Sequence, residues 1–239
     1  MYKGFEIKKP FFEFGPKVYL YGDNSVDMAV YADKLSEKYE VDIIFSAQYT
    51  DIERISKKTK NIKIFAQHMD PICSGRGIGG VLAEALKYSG AKGVLLNHAE
   101  RQVSLSVLNA TIKRADEAGL ATLVCAGSIE ESAAVACLKP NIIIAESPEL
   151  IGVGKRDEKD MDEIAGINSA VKNIDKDILV LHGAGISDEN DVYRIILAGA
   201  DATGSTSGII NAADPKQMFQ NMIIAVNEAY HERTGKRRA

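Results

Sequence analysis

Short apolar runs recur along the whole chain, and each is followed by a longer stretch in which apolar positions return every three or four residues. The runs are FFEF at 11–14, VDIIFS at 41–46, IKIFA at 62–66, GVLLN at 93–97, LATLVCA at 120–126, NIIIAE at 141–146, DILVLHG at 177–183 and ADATGS at 200–205. They are rich in Ile, Val and Leu and alternate little between apolar and polar residues, as parallel strands covered on both faces do. Between them the period becomes helical. In SVDMAVYADKLSEKY, Val26, Val30 and Leu35 stand among charged neighbours. SVLNATIKRADEAG ends on Gly119, the residue type suited to the left-handed position that closes a helix. DENDVYRIILAG has an acidic first turn and is expected to stop at Gly199.

Eight strand–helix units with no Pro/Gly-rich linker predict an α/β fold, a TIM-type (β/α)8 barrel forming a single domain over residues 1–239. A doubly wound open sheet is the competing arrangement, because the pattern does not give strand order; eight units in this length favour closure. In a barrel, chemistry gathers where strands end and loops begin. The polar residues at those exits are Gln67-His68, Asn97 to Glu100, Glu146, the glycines of HGAGIS, and GSTSG.

Composition narrows the function classes. A chain 46% hydrophobic and 26% charged is an ordinary globular protein, not a disordered one. A net charge of −4 gives no electrostatic reason to expect nucleic acid or an anionic membrane as partner, and the basic TGKRRA stretch is short enough to read as a solvated tail. Cys73, Cys125 and Cys137 lie far apart without CxxC spacing, which argues against a metal site or a disulfide framework. Cys125, in an apolar run, reads as a small core residue. MYKGFEIKKP resembles neither a signal nor a transit peptide, and no apolar run reaches transmembrane length, so a cytoplasmic location is expected.

Two strand exits carry acid–base candidates. Glu146 directly follows an apolar run and would project from the barrel mouth; SPELIGVG then supplies a stiff Pro148 and permissive Gly152 and Gly154. His98 follows another apolar run, with Glu100 two residues on. Alone, Glu146 reads more readily as a solvated strand-end acid and His98 as a hydrogen-bonded structural residue. Together, a carboxylate base and an imidazole on different strand ends suit proton transfer beside a carbonyl.

AQHMDP, GVLLNHAE, ESPELIGVG, HGAGIS and SGIINAADP each resemble segments of the triosephosphate isomerase family, especially its shorter archaeal form, in the family's order over roughly residues 41 to 226. The resemblance implies an aldose–ketose isomerase for a small phosphorylated sugar, with no cofactor and no metal. Glu146 would be the base, His98 the neutral electrophile and Glu100 a supporting acid. Gly152 and Gly154, then Gly183, Ala184, Gly185 and Ser187, then Thr206, Ser207 and Gly208 would grip the phosphate. Glycine-rich loops ahead of helices do present backbone N–H groups to anions, though each of these also reads as turn chemistry. The family forms a homodimer or homotetramer through the loop after the third strand, here MDPICSGRGIGG.

The first strand departs from that family. Where it has Asn-x-Lys, this chain has Glu13 and Gly15, with Lys17 two residues later, after Pro16. Either the Gly15-Pro16 bend lets the Lys17 ammonium swing into the old place, across roughly 6–7 Å of strand, or the site is rebuilt around Glu13, with Lys17 or Arg76 between that carboxylate and a phosphate. The family's His-Ser-Glu reads His98-Ala99-Glu100, and Ile78 replaces a threonine that reaches a neighbouring subunit. The alternatives are an isomerase for another short sugar phosphate and a non-catalytic relative that binds a phosphorylated ligand. A dinucleotide binder is disfavoured, because GRGIGG at 75–80 lies nine residues past its strand with no acid about 20 residues beyond it.

Overall fold

The computed structural model describes residues 1–147, 150 and 159–235. Its strands are β1 (Phe11–Phe14), β2 (Asp42–Ala47), β3 (Lys63–Ala66), β4 (Gly93–Leu96), β5 (Ala121–Ala126), β6 (Ile142–Ala145), β7 (Leu179–His182) and β8 (Ala202–Gly204). They pair in parallel in chain order and close into a barrel. Closure is made by β1, which pairs with β2 on one side and with β8 on the other, Phe12 standing opposite Thr203. An open doubly wound sheet is thereby ruled out.

The lack of alternation in the sequence has a direct cause. Phe11, Ile44, Phe65, Leu123, Ile144 and Leu181 fill the barrel interior, while Phe12, Phe14, Ile43 and Phe45 belong to the larger core between barrel and helices. Both faces of most strands are therefore largely apolar. The surrounding helices are α1 (Gly22–Tyr39), α2 (Tyr49–Ser56), α3 (Ala83–Tyr88), α4 (Leu105–Ala118), α5 (Ile129–Ala136), α6 (Lys159–Ile174), α7 (Glu189–Leu197), α8 (Ser207–Ile210) and α9 (Pro215–Thr234). Several start on side-chain caps: Ser104 accepts from the N–H of Val107, Ser128 from Glu131 and Asp214 from Gln217. Gly119 caps α4 at φ 73°, as its position suggested. Helix α7 stops earlier than Gly199: it ends at Leu197, Ala198 caps it in the right-handed region, and Gly199 turns the chain at φ 110°.

Residues ahead of β1 cover the N-terminal end of the barrel. Phe5 packs edge-on against the interior Phe65, with ring centroids 5.6 Å apart, and Ile7 joins the same cluster. The Met1 ammonium pairs with Asp116 at 2.6 Å, Asn141 donates to the Tyr2 carbonyl at 2.8 Å, and Lys9 pairs with Asp201 at 3.0 Å. Among the described residues no helix is long and apolar enough to cross a membrane.

Candidate active site

The opposite, C-terminal end of the barrel opens into a cavity of about 320 Å³. Its walls come from the ends of most strands, and it brings together Glu13, Lys17, His98, Glu100 and Glu146.

Glu146 is the first residue past β6. Its N–H donates to the Ala126 carbonyl at 3.0 Å, which carries the strand ladder one residue further and sends the side chain inward. Its Oε2 lies 3.6 Å from His98 Nε2 and, although buried, has no hydrogen-bond partner. Burial raises the carboxyl's pKa, opposed by the nearby His98 and Lys17 and by a hydrogen bond from the Cys125 thiol. Space for this pose depends on Gly183, where a β-carbon would come within 2.6 Å of Glu146 Oε1.

His98 is aimed by the residue before it. Asn97 takes a left-handed φ of 60° and clamps the strand exit, donating to the Cys125 carbonyl at 3.1 Å and accepting from the Val103 N–H at 3.1 Å. A short 3-10 turn, Ala99–Arg101, follows. Its Glu100 N–H donates to His98 Nδ1 at 3.1 Å. With Nδ1 occupied as an acceptor, the ring proton sits on Nε2, the nitrogen facing Glu146.

Lys17 reaches the cavity from a turn, not from a strand. Gly15 and Pro16 bend the chain, the Pro16 carbonyl accepts from the Tyr19 N–H at 3.0 Å, and Lys17 stands at φ 49°. Two amides hold that backbone: Gln48 and Gln67 donate to the Lys17 carbonyl at 3.2 and 2.9 Å. The ammonium donates to Glu100 Oε1 at 2.7 Å. Burial pushes the Glu100 carboxyl up, but the hydrogen bond and charge of Lys17 outweigh it and hold the group below the usual carboxylate range. Glu100 thus serves twice, orienting His98 through its backbone and Lys17 through its side chain.

Glu13, the inward residue near the end of β1, is only 8% exposed. The Ser46 hydroxyl donates to its Oε1 at 2.6 Å. Burial raises its pKa to about 7, against the Ser46 hydrogen bond and with a further push from Glu146.

The remaining site candidates separate. Gly183, Ala184, Gly185 and Ser207 line the cavity. Ala184 and Gly185 take consecutive left-handed φ values of 59° and 66°, turning the chain sharply beside Glu146. Thr206 also lines the cavity, and its hydroxyl donates to the Gly15 carbonyl at 2.6 Å, tying the last strand exit to the first. Gly208 lies behind the wall, where a β-carbon would come within 2.7 Å of the Ile186 carbonyl. Ser187 is not part of the lining, and Asp191 takes its N–H at 2.8 Å. Arg76 sits on a fully exposed stretch of the β3–α3 loop and does not line this chain's cavity. Gly152 and Gly154 lie outside the described residues. The literal GRGIGG is part of that same exposed loop and does not join a strand directly to a helix.

Sequence reasoning missed Ser46, Gln48 and the contact of Cys125 with Glu146, and noted Gln67 only as a polar strand exit. The signal for the amides was the position of Gln48 and Gln67 just past β2 and β3. Among the described residues, no three His, Cys, Asp or Glu side chains gather as a metal-binding group.

The family model described as Triosephosphate isomerase matches residues 18–225. The triosephosphate isomerase of Methanobacterium bryantii is 40% identical over 203 residues, covering 84% of this chain and 89% of that protein. The enzyme of Methanosarcina mazei is 36% identical over 217 residues, covering 90% and 97%. The crystal structure of triosephosphate isomerase from Bartonella henselae superposes with a TM-score of 0.72 over 92% of this chain and 99% of that one; at 17% identity it speaks to the fold alone. The family match begins one residue after Lys17, so the rerouted first strand exit lies just outside it. The match nonetheless spans most of the chain, and the chain belongs to the triosephosphate isomerase family.

Proposed function

We propose that this barrel interconverts glyceraldehyde 3-phosphate and dihydroxyacetone phosphate by proton transfer through an enediolate. The observation that carries the reading is the unpartnered Glu146 Oε2 facing the protonated nitrogen of His98 across 3.6 Å. Glu146 takes a proton from the carbon next to the carbonyl. The carbon–oxygen π electrons move onto oxygen, where the His98 Nε2–H and the Lys17 ammonium stabilise the developing charge. As the carboxylic acid so formed returns the proton to the former carbonyl carbon, His98 gives its Nε2–H to the first oxygen and takes the proton of the neighbouring hydroxyl, whose oxygen becomes the new carbonyl, so atoms and electrons balance without a cofactor. A raised Glu146 pKa strengthens it as a base, provided it is ionised.

Gly183 to Gly185 with Thr206 and Ser207 form the phosphate end of the cavity in this reading. The first turn of α8 offers N–H groups that a short helix cannot satisfy internally. Lys17 supplies the ammonium through its turn, and Arg76, turned to solvent, does not serve its own chain's site. A homodimer or homotetramer formed through the exposed loop after β3, and a cytoplasmic location, complete the proposal. Ile78 in that loop is fully exposed, which suits an interface.

The test is a coupled assay with glyceraldehyde 3-phosphate, run beside Glu146→Gln protein prepared identically to exclude a contaminating host isomerase. Turnover only in the unmutated chain supports the reading. Equal rates in both would sink it, and four-carbon aldose and ketose phosphates would be tried next, because a buried Glu13 in the cavity wall favours a rebuilt substrate contact as the second reading.

A further inference from the structure

Glu13 has no part in the proton transfer above, yet its surroundings are not those of a structural acid. It lies in the cavity wall with Glu146, His98 and Lys17. Its Oε1 is held by the Ser46 hydroxyl at 2.6 Å, and its Oε2 has no hydrogen-bond partner among the described residues. No cation is bonded to it: the nearby Lys17 ammonium is committed to Glu100. The pose is built in, because a β-carbon at Gly15 would stand 2.8 Å from Glu13 Oε1. Replacing that glycine by a residue with a side chain would push the carboxyl away.

The charges that face Glu13 come from several elements. Lys17, on the turn after β1, favours its ionised form; Glu146, past β6, opposes it; the Cys125 thiol of β5 feels both carboxyl groups. Two buried carboxyls therefore act on each other across one cavity, with one ammonium nearby that a third carboxylate already holds. A sugar phosphate brings more negative charge, and an enediolate more again. Such a site holds a proton on one of its two inner carboxyls. Glu146 must be ionised to act as base, so the proton resides on Glu13. Because Oε1 accepts from Ser46, Oε2 is the oxygen that carries it.

We infer that Glu13 is a further substrate-binding residue, a neutral carboxylic acid whose Oε2–H donates a hydrogen bond to an oxygen of the bound sugar phosphate, and that the reactive site has Glu146 ionised and Glu13 protonated. The inference rests on the isomerase reading. It assigns the divergent first strand a donor that matches an anionic substrate only while protonated. Activity then falls on the alkaline side as Glu13 loses its proton, and on the acid side as Glu146 gains one.

The test is the pH profile of kcat/KM for the wild type and Glu13→Gln, whose amide donates without titrating. The wild type should lose about tenfold or more between about pH 6 and about pH 9. Glu13→Gln should flatten that alkaline limb, leaving a change of about threefold or less between the same two pH values. An unchanged limb in Glu13→Gln overturns the inference, as does inactivity of a folded Glu13→Gln at every pH, which would mean that the ionised carboxylate is required. Should Glu13→Gln not fold, Ser46→Ala replaces it: loss of the hydroxyl donor must move the limb to higher pH, and an unmoved limb counts against the inference. An infrared carboxylic-acid band, present in wild type and absent in Glu13→Gln, reads the proton without turnover and should shift when dihydroxyacetone phosphate is added. No band, or no shift, overturns the inference; a wild type without turnover on any short sugar phosphate instead overturns the isomerase reading.

Discussion

At the N-terminal end of the barrel Asp201 is buried, and at the C-terminal end Glu13 is buried to a similar degree. The two carboxyls shift in opposite directions. Burial pushes Asp201 up, but Lys172, Lys9 and the Val180 N–H all bond to it, and it lies below the usual carboxylate range. Glu13 has one hydroxyl partner and rises to about 7. The same contrast runs through their neighbours. Near Asp201, Asn141 uses both ends of its amide, donating to Tyr2 and accepting from the Thr122 N–H. Near Glu13, Glu146 Oε2 is buried with nothing bonded to it. Around Asp201 the fold surrounds a buried carboxyl with donors; around Glu13 and Glu146 it leaves carboxyl oxygens poised, at a cost in stability, for a ligand to complete.

The largest expected effect breaks the comparison from the open end. Glu146→Gln and His98→Ala should each lower kcat/KM by about 10³-fold or more while leaving the circular dichroism spectrum and Tm unchanged or higher. A parallel loss of Tm would show that these residues hold the fold.

Next comes the closed end. Phe65→Ala removes the ring on which Phe5 rests. It should cost about 3–5 kcal/mol in denaturant unfolding, with kcat of the folded fraction nearly unchanged. A smaller cost would mean that the segment ahead of β1 does not seal the barrel.

The third expectation sharpens the carboxyl contrast. A raised folded-state pKa means that the native protein holds the Glu13 proton where the unfolded chain has released it. Stability is therefore lost as pH rises from about 4.5 towards 7. Glu13→Gln removes that loss, so its stability relative to wild type should be about 2–3 kcal/mol more favourable at pH 8 than at pH 5. Asp201 behaves oppositely: its contribution is present above the unfolded carboxylate value and disappears as pH falls below it. Equal pH dependence of the two proteins in urea melts would contradict the assignment.

The smallest effects concern the Lys17 turn. Lys17→Ala should lower kcat/KM by roughly 10²-fold. Gln67→Ala, which removes one of two amides from the Lys17 carbonyl, should lower it only severalfold. Equal losses would mean that the turn cannot hold its ammonium on the remaining Gln48 contact.

Much of this was legible before any coordinates. Every apolar run contains a strand, because a parallel barrel buries both strand faces and leaves an uninterrupted hydrophobic signature. Glu146 and His98 were legible because each directly follows such a run. What was not legible depended on direction. Whether Lys17 could regain the cavity turned on the Gly15-Pro16 bend and on two glutamine amides from other strand exits, a convergence that no local pattern carries. Ser187 looked like a phosphate donor, but Asp191, four residues on, takes its N–H; the helix's first-turn acid competes with a ligand for the same group. Arg76 read as a spare positive charge, and only the course of its loop shows it leaving the site. Helix α7 ends two residues short of its expected glycine because Ala198 can cap in the right-handed region, leaving Gly199 to make the turn.

The seam between β1 and β8 has a consequence for how the protein comes to life. Ser205 donates its N–H to the Glu13 carbonyl at 3.2 Å, and Thr206 reaches the Gly15 carbonyl across a sequence separation of 191 residues. The wall that carries Glu13 and the turn that carries Lys17 are therefore completed by nearly the last strand exit to be synthesised. Contacts of such long range are paid for in loop-closure entropy before they return anything, and they form late in folding. A nascent chain can build most of the barrel's arc and remain chemically inert; the site is assembled in the same event that closes the ring.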